Sequence, residues 1–184
     1  GTSKTIKAIA VKDGMNDSAV AEASYTISYD QVSTPQLSPS GGTYSFDQSI
    51  EITTTTSGAT IYYTTNGDAP DTSSNEYTGT ISVSGDGTSK TIKAIAVKDG
   101  MNDSTVAEAT YKIDKTAPSM PTINGISSGT YNTDKSFTVS GESGATIEYS
   151  LDGGSSWNNY SSEVSLSNED TYDITARQTD EAGN

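Results

Sequence analysis

Thr91-Ile-Lys-Ala-Ile-Ala-Val-Lys98 alternates on two faces at once. Ile92, Ala94 and Ala96 fall on one face, and Lys93, Ile95 and Val97 on the other. A period of two predicts a β-strand with one apolar face and one mixed face. The same eight residues occur at Thr5–Lys12, inside a longer duplication. Residues 1–27 and 87–113 agree at 24 of 27 positions, 86 residues apart, and differ at Ala19/Thr105, Ser24/Thr110 and Thr26/Lys112. A spacing of that size fits a whole small domain and exceeds the roughly 20–50 residues of a solenoid unit. The chain therefore reads as part of a tandem array.

Outward from that stretch the pattern continues. Ile50 and Ile52 share a face of one expected strand, Ile61 and Tyr63 of a second, Ile81 and Val83 of a third, and Val106–Ile113 closes the unit. Turn residues separate them at Ser40-Gly41-Gly42, Ser57-Gly58, Asn66-Gly67-Asp68, Ser84-Gly85-Asp86-Gly87 and Asp99-Gly-Met-Asn-Asp103. No stretch of ten residues carries a 3.6-residue period, so the expected fold class is all-β, a string of antiparallel sandwiches.

Residues 115–184 repeat the plan in diverged form. Gly129-Thr-Tyr131 answers Gly42-Thr-Tyr44, Phe137 and Val139 answer Ile50 and Ile52, and Ser143-Gly-Ala-Thr-Ile147 answers Ser57–Ile61. The expected domains are 1–29, the last two strands of one repeat; 30–114, a complete repeat; and 115–184, a repeat short of its last strand. The junctions around Pro35 and Pro118 are short, and proline restricts both its own backbone and that of the preceding residue. Semi-rigid beads are expected. Residues 1–27 alone form a two-strand unit, which is marginal in water.

The composition excludes several functions. With 10 Lys+Arg against 24 Asp+Glu, nucleic acid and anionic lipid are not expected partners. No run of about 20 apolar residues is present, so no membrane insertion is expected. The chain has no His and no Cys, which removes a Ser-His-Asp triad and a His-ligated zinc. Its acidic residues fall in turns and on exposed strand positions, with no sign of a cleft that raises a carboxyl pKa. The expectation is that the chain is not an enzyme.

Two kinds of binding site stay open. Calcium takes six to eight oxygens from carboxylates, amides and carbonyls. Asp99, Asn102 and Asp103 share one loop, repeated as Asp13, Asn16 and Asp17, while Asp68 and Asp71 share another. Asp30 and Asp114 stand at the junctions, where a cation would stiffen the array. Asp, Asn and Gly are equally what turns require, and no loop has EF-hand spacing. No other cofactor is expected. A carbohydrate face needs exposed rings, and Trp157 and Tyr62 are the candidates: the first is the only Trp, the second is out of phase with Ile61 and Tyr63. Trp157 equally suits a lid over one end of a sandwich. Tyr63, Tyr77, Tyr149 and Tyr160 read as core-edge residues.

Residues 35–113 resemble the chitobiase/β-hexosaminidase C-terminal domain family. The resemblance is carried by Pro39-Ser-Gly-Gly-Thr-Tyr44, Gly58–Pro70, Tyr77-Thr-Gly-Thr-Ile81 and Ile92-Lys-Ala-Ile-Ala96. Residues 114–184 resemble bacterial Ig-like repeats of large surface proteins through Asp114–Pro118, Tyr149–Trp157 and Thr179–Asn184. The resemblance implies Ig/fibronectin-III-like sandwiches without catalysis in a secreted or cell-surface bacterial protein. The expected function is a spacer or stalk, of an adhesin before other kinds. An accessory module that contacts carbohydrate, in a secreted polysaccharide-degrading enzyme, is the alternative. Expected partners are neighbouring repeats of the same polypeptide, with surface glycan or a host ligand met through other domains.

Overall fold

The computed structural model describes residues 2–184, and it is all-β. An N-terminal hairpin pairs β1 (Thr2–Ala8) antiparallel with β2 (Ala21–Ile27). Both strands are exposed along their whole length.

The central module follows. β3 (Gln36–Ser38), β5 (Gln48–Thr53) and β8 (Ile81–Val83) form one sheet in the order β3-β5-β8. The facing sheet has β4 (Gly42–Tyr44), β6 (Thr60–Thr64), β7 (Asn75–Glu76), β9 (Ser89–Val97) and β10 (Ala107–Ile113), in the order β4-β10-β9-β6-β7. All of its pairings are antiparallel except the short β4–β10 contact, which is parallel. Alternation sorts the side chains as period-two strands require. Ile50, Ile52, Ile61, Ile81, Val83, Ile92, Ala94, Ala96, Tyr111 and Ile113 fill the space between the sheets.

Ser40-Gly41-Gly42, expected as a turn, leads directly into β4. Gly41 lets it approach β10, because a Cβ there would lie 2.7 Å from the Thr110 carbonyl oxygen.

The C-terminal module repeats this layout with fewer strands. β11 (Thr122–Asn124), β12 (Lys135–Ser140) and β15 (Val164–Leu166) form one sheet; β13 (Thr146–Ser150), β14 (Asn158–Asn159) and β16 (Thr175–Thr179) form the other. Phe137, Val139 and Leu166 are its buried centre, ringed by Ile147, Tyr149, Tyr160 and Ala176 among others. The two cores thus lie within residues 32–113 and 123–176.

Candidate functional site

The loop that carries Asp99, Asn102 and Asp103 is a junction. Asn102 donates its side-chain amide to the Tyr29 carbonyl at 2.7 Å and its backbone N–H to the Asp30 carbonyl at 2.8 Å. Its own carbonyl accepts from Val32 N–H at 2.9 Å. Val32 is buried in the central core, so the strap from residue 29 to residue 32 is fastened to the module it enters. Gln31 adds a bond from its amide to the Asp103 carbonyl. Ser104 closes the loop from inside: its buried hydroxyl accepts the Ala96 N–H at 2.9 Å.

The second junction uses carboxylates. Asp86 accepts from the Lys115 backbone N–H at 2.6 Å and from the Thr116 hydroxyl at 2.9 Å. Asp47 pairs with the Lys115 ammonium at 2.7 Å and accepts from Gly85 N–H. These donors hold both carboxyls below the ordinary aspartate value: the Lys115 side chain first for Asp47, the Lys115 N–H first for Asp86. Asp114 caps Thr116 N–H within the strap, and its own N–H donates to the Tyr44 carbonyl. From the far side, Asn184 donates its side-chain amide to the Asp114 carbonyl at 2.7 Å. Asn184 thus does for the second strap what Asn102 does for the first.

The remaining cation candidates serve their own turns. Asp68 accepts from the Asn66 amide, and Asp71 from Ser73 and Ser74. The Ser73 hydroxyl is the largest influence holding the Asp71 pKa down. Among the described residues no three Asp or Glu side chains gather into a group able to hold a metal ion.

The two candidate rings stand on different modules. Tyr62, on β6, faces away from the core, opposite Ile95 of β9 and Glu76 of β7, and is half-buried there. Trp157 is half-buried in the C-terminal module, between β13 and the short strand β14. The Arg177 guanidinium lies 4.1 Å from its ring centroid, and a Cβ on Gly154 would meet the ring at 3.4 Å. That cation–π contact, with Glu148 accepting from Arg177 at 2.7 Å, covers one face of the ring. Glu148 and Arg177 take the cross-strand positions that Tyr62 and Ile95 hold in the central module. Tyr63 and Tyr77 meet edge to face at the rim of the central core, as Tyr149 and Tyr160 do in the next. Tyr111 is the aromatic that the sequence left unmarked: fully buried, stacked on Tyr44, and bonded to the Pro39 carbonyl at 2.7 Å. Burial pushes its phenol up to about 12.

Compared with known proteins, residues 39–118 match the family model of the chitobiase/beta-hexosaminidase C-terminal domain. The match covers the central module from β4 to the second junction. No curated protein matches the chain.

Proposed function

We propose that this chain is a non-catalytic, extracellular spacer, in which each module is fastened to the strap that joins it to its neighbour. The observation that carries this reading is the pair of fastened junctions. Tyr29–Val32 is bonded to Asn102, and Asp114–Thr116 is held by Asp86, Asp47 and Asn184. A flexible linker leaves its backbone to water. Here polar groups of the straps are taken up by the modules, which fixes the reach of whatever the array carries. The surrounding protein is then of the cell-surface or secreted kind, adhesins included.

The chain lacks Cys, so two spin labels can be placed without background, on Glu51→Cys and Thr138→Cys. The distance between them should be narrowly distributed and should broaden in Asp86→Ala. A distribution already broad in the parent chain would remove the spacer reading.

A second reading has the family match of residues 39–118 behind it: a carbohydrate-associated module that itself touches glycan. Tyr62 is its contact residue, on the outer sheet face beside Ile95. Retention of the chain on insoluble polysaccharides, lost in Tyr62→Ala, is its test; no retention on any polysaccharide sinks it.

A further inference from the structure

Asparagine is followed by glycine twice in the chain, at Asn66-Gly67 and at Asn124-Gly125. Such a pair carries a reaction of its own. The backbone nitrogen of the glycine can add to the side-chain carbonyl carbon of the asparagine, and the missing Cβ leaves that approach open. The fold decides which pair reacts, because the side chain must turn back onto its own backbone.

Asn66 is exposed in the turn that follows β6, with Gly67 at φ 83°. Its Oδ1 accepts the Asp68 N–H at 3.1 Å. That bond closes a small ring that contains both reacting atoms, the Asn66 Cγ and the Gly67 nitrogen. The Asp68 N–H also points at the oxygen on which negative charge develops as the nitrogen adds. The Asp68 carboxylate accepts from the Asn66 Nδ2 at 2.6 Å, which sets a proton carrier beside the leaving group.

Asn124 is held differently. β11 pairs it with Thr138 of β12, and its amide donates to the Thr122 carbonyl and the Ser140 hydroxyl. β12 also lies close to the glycine, since a Cβ on Gly125 would be 3.4 Å from the Ser136 carbonyl oxygen. In the C-terminal module the turn that matches Asn66-Gly67 carries Asp152-Gly153, with the carboxylate taken up by Ser150 and Ser156. An ionised carboxylate is a poor target for an amide nitrogen.

We propose that Asn66 is a self-modification site, converted without an enzyme to aspartate and isoaspartate through a cyclic imide with Gly67. The Gly67 nitrogen bonds to the Asn66 Cγ, and the bond from Cγ to Nδ2 breaks. The proton lost from the Gly67 nitrogen leaves on Nδ2, which departs as ammonia. Solvent water then opens the ring. Opening at Cγ gives aspartate; opening at the backbone carbonyl carbon gives isoaspartate, whose chain runs through the side chain. Either product sets a carboxylate beside Asp68 where an amide donor stood. Isoaspartate also lengthens the turn by a methylene, against the bond from the Thr64 hydroxyl to the Asp68 carbonyl. The buried core residues lie outside this turn, so the change stays local.

The test is incubation of the whole chain at mildly alkaline pH, folded and in urea, followed by peptide mass mapping with fragmentation that separates the two products. In the folded chain Asn66 should convert first, and Asn124 should lag at least about tenfold, because a strand residue reacts only in the opened fraction of molecules. In urea the two should convert alike. Gly67→Ala should slow conversion of Asn66 in urea as well as in the folded chain, a result that does not depend on the turn surviving the substitution. Asn66 that stays intact in the folded chain while it converts in urea overturns the proposal. Equal conversion of Asn66 and Asn124 in the folded chain does so too. Conversion to aspartate alone, the mark of direct hydrolysis, also overturns it.

Discussion

Residues 2–27 and 88–113 are almost one sequence in two surroundings. Both fold to the same hairpin in the same register, Ile6 opposite Ala23 and Ile92 opposite Ala109. The local bonds repeat, apart from the one from the Thr26 hydroxyl to Ser3, which Lys112 does not make in the second copy. Ser18 and Ser104 each accept the N–H of the residue eight back, at 2.9 Å, and Lys7–Glu22 and Lys93–Glu108 pair at 3.1 and 3.3 Å. Burial does not repeat. Ile6 is 57% exposed where Ile92 is 0%, and Tyr25 is 59% exposed where Tyr111 is 0%. Strand length differs for the same reason. β9 runs on to Val97 because β6 pairs with Ile95–Val97, while β1 stops at Ala8. Turn chemistry and cross-strand pairs are therefore local, and burial of the hairpin's apolar face needs the other half of the module, residues 32–83.

The contrast can be broken most sharply at the core. Ile92→Ala removes a fully buried side chain and should cost about 3 kcal/mol, within the usual range for such truncations. Ile6→Ala, the same change in the other copy, should stay within about 0.5 kcal/mol because the site is exposed. Urea denaturation of the central module reads both. Equal shifts from the two variants would mean that the hairpin copies share a core after all.

A smaller separation is expected at the loop serine. Ser104→Ala strands the Ala96 N–H in a buried place, a loss of about 1–3 kcal/mol. In Ser18→Ala the freed Ala10 N–H meets water, and the change should be a few tenths of a kcal/mol at most. Hydrogen exchange at Ala96 and Ala10 follows the two sites separately. Faster exchange at Ala10 alone would contradict this assignment.

The same division explains what was legible in the sequence. Ile92, Ala94 and Ala96 declared their face because alternation is written in neighbouring letters, and so did Ile50 with Ile52. Tyr63 was legible by the same phase argument, and Tyr149 by its correspondence with Tyr63. Asn102 and Asp86 were not, because their partners lie 73 and about 30 residues away. Acidic and amide residues between strands look alike whether they bind a cation, close a turn or hold a strap. β4 was hidden by its glycines, since a strand that pairs through three residues leaves no period to read. Trp157 read as a free ring or a lid because nothing local places Arg177, twenty positions on, above it.

The smallest expected effect sharpens a second contrast, between equivalent turns of the two modules. Asn66 closes its turn with a neutral amide, accepting the Asp68 N–H at 3.1 Å. Asp152 closes the matching turn with a carboxylate that accepts from the Ser150 hydroxyl and from both the N–H and the hydroxyl of Ser156. Those donors, Ser150 first, lower its pKa from 3.8 to about 2. A carboxyl depressed in the folded state contributes stability above its unfolded value, and that contribution fades as pH falls from about 4 toward 2. Asp152→Asn should therefore lower the melting temperature of the C-terminal module slightly at pH 6, and the gap should close near pH 2. Asn66→Asp is the converse probe, adding to the central module a turn whose strength depends on pH. A gap between parent and Asp152→Asn that stays constant from pH 6 to pH 2 would show that the charge of Asp152 does not hold this turn, leaving the geometry of Gly153, at φ 71°, to do so.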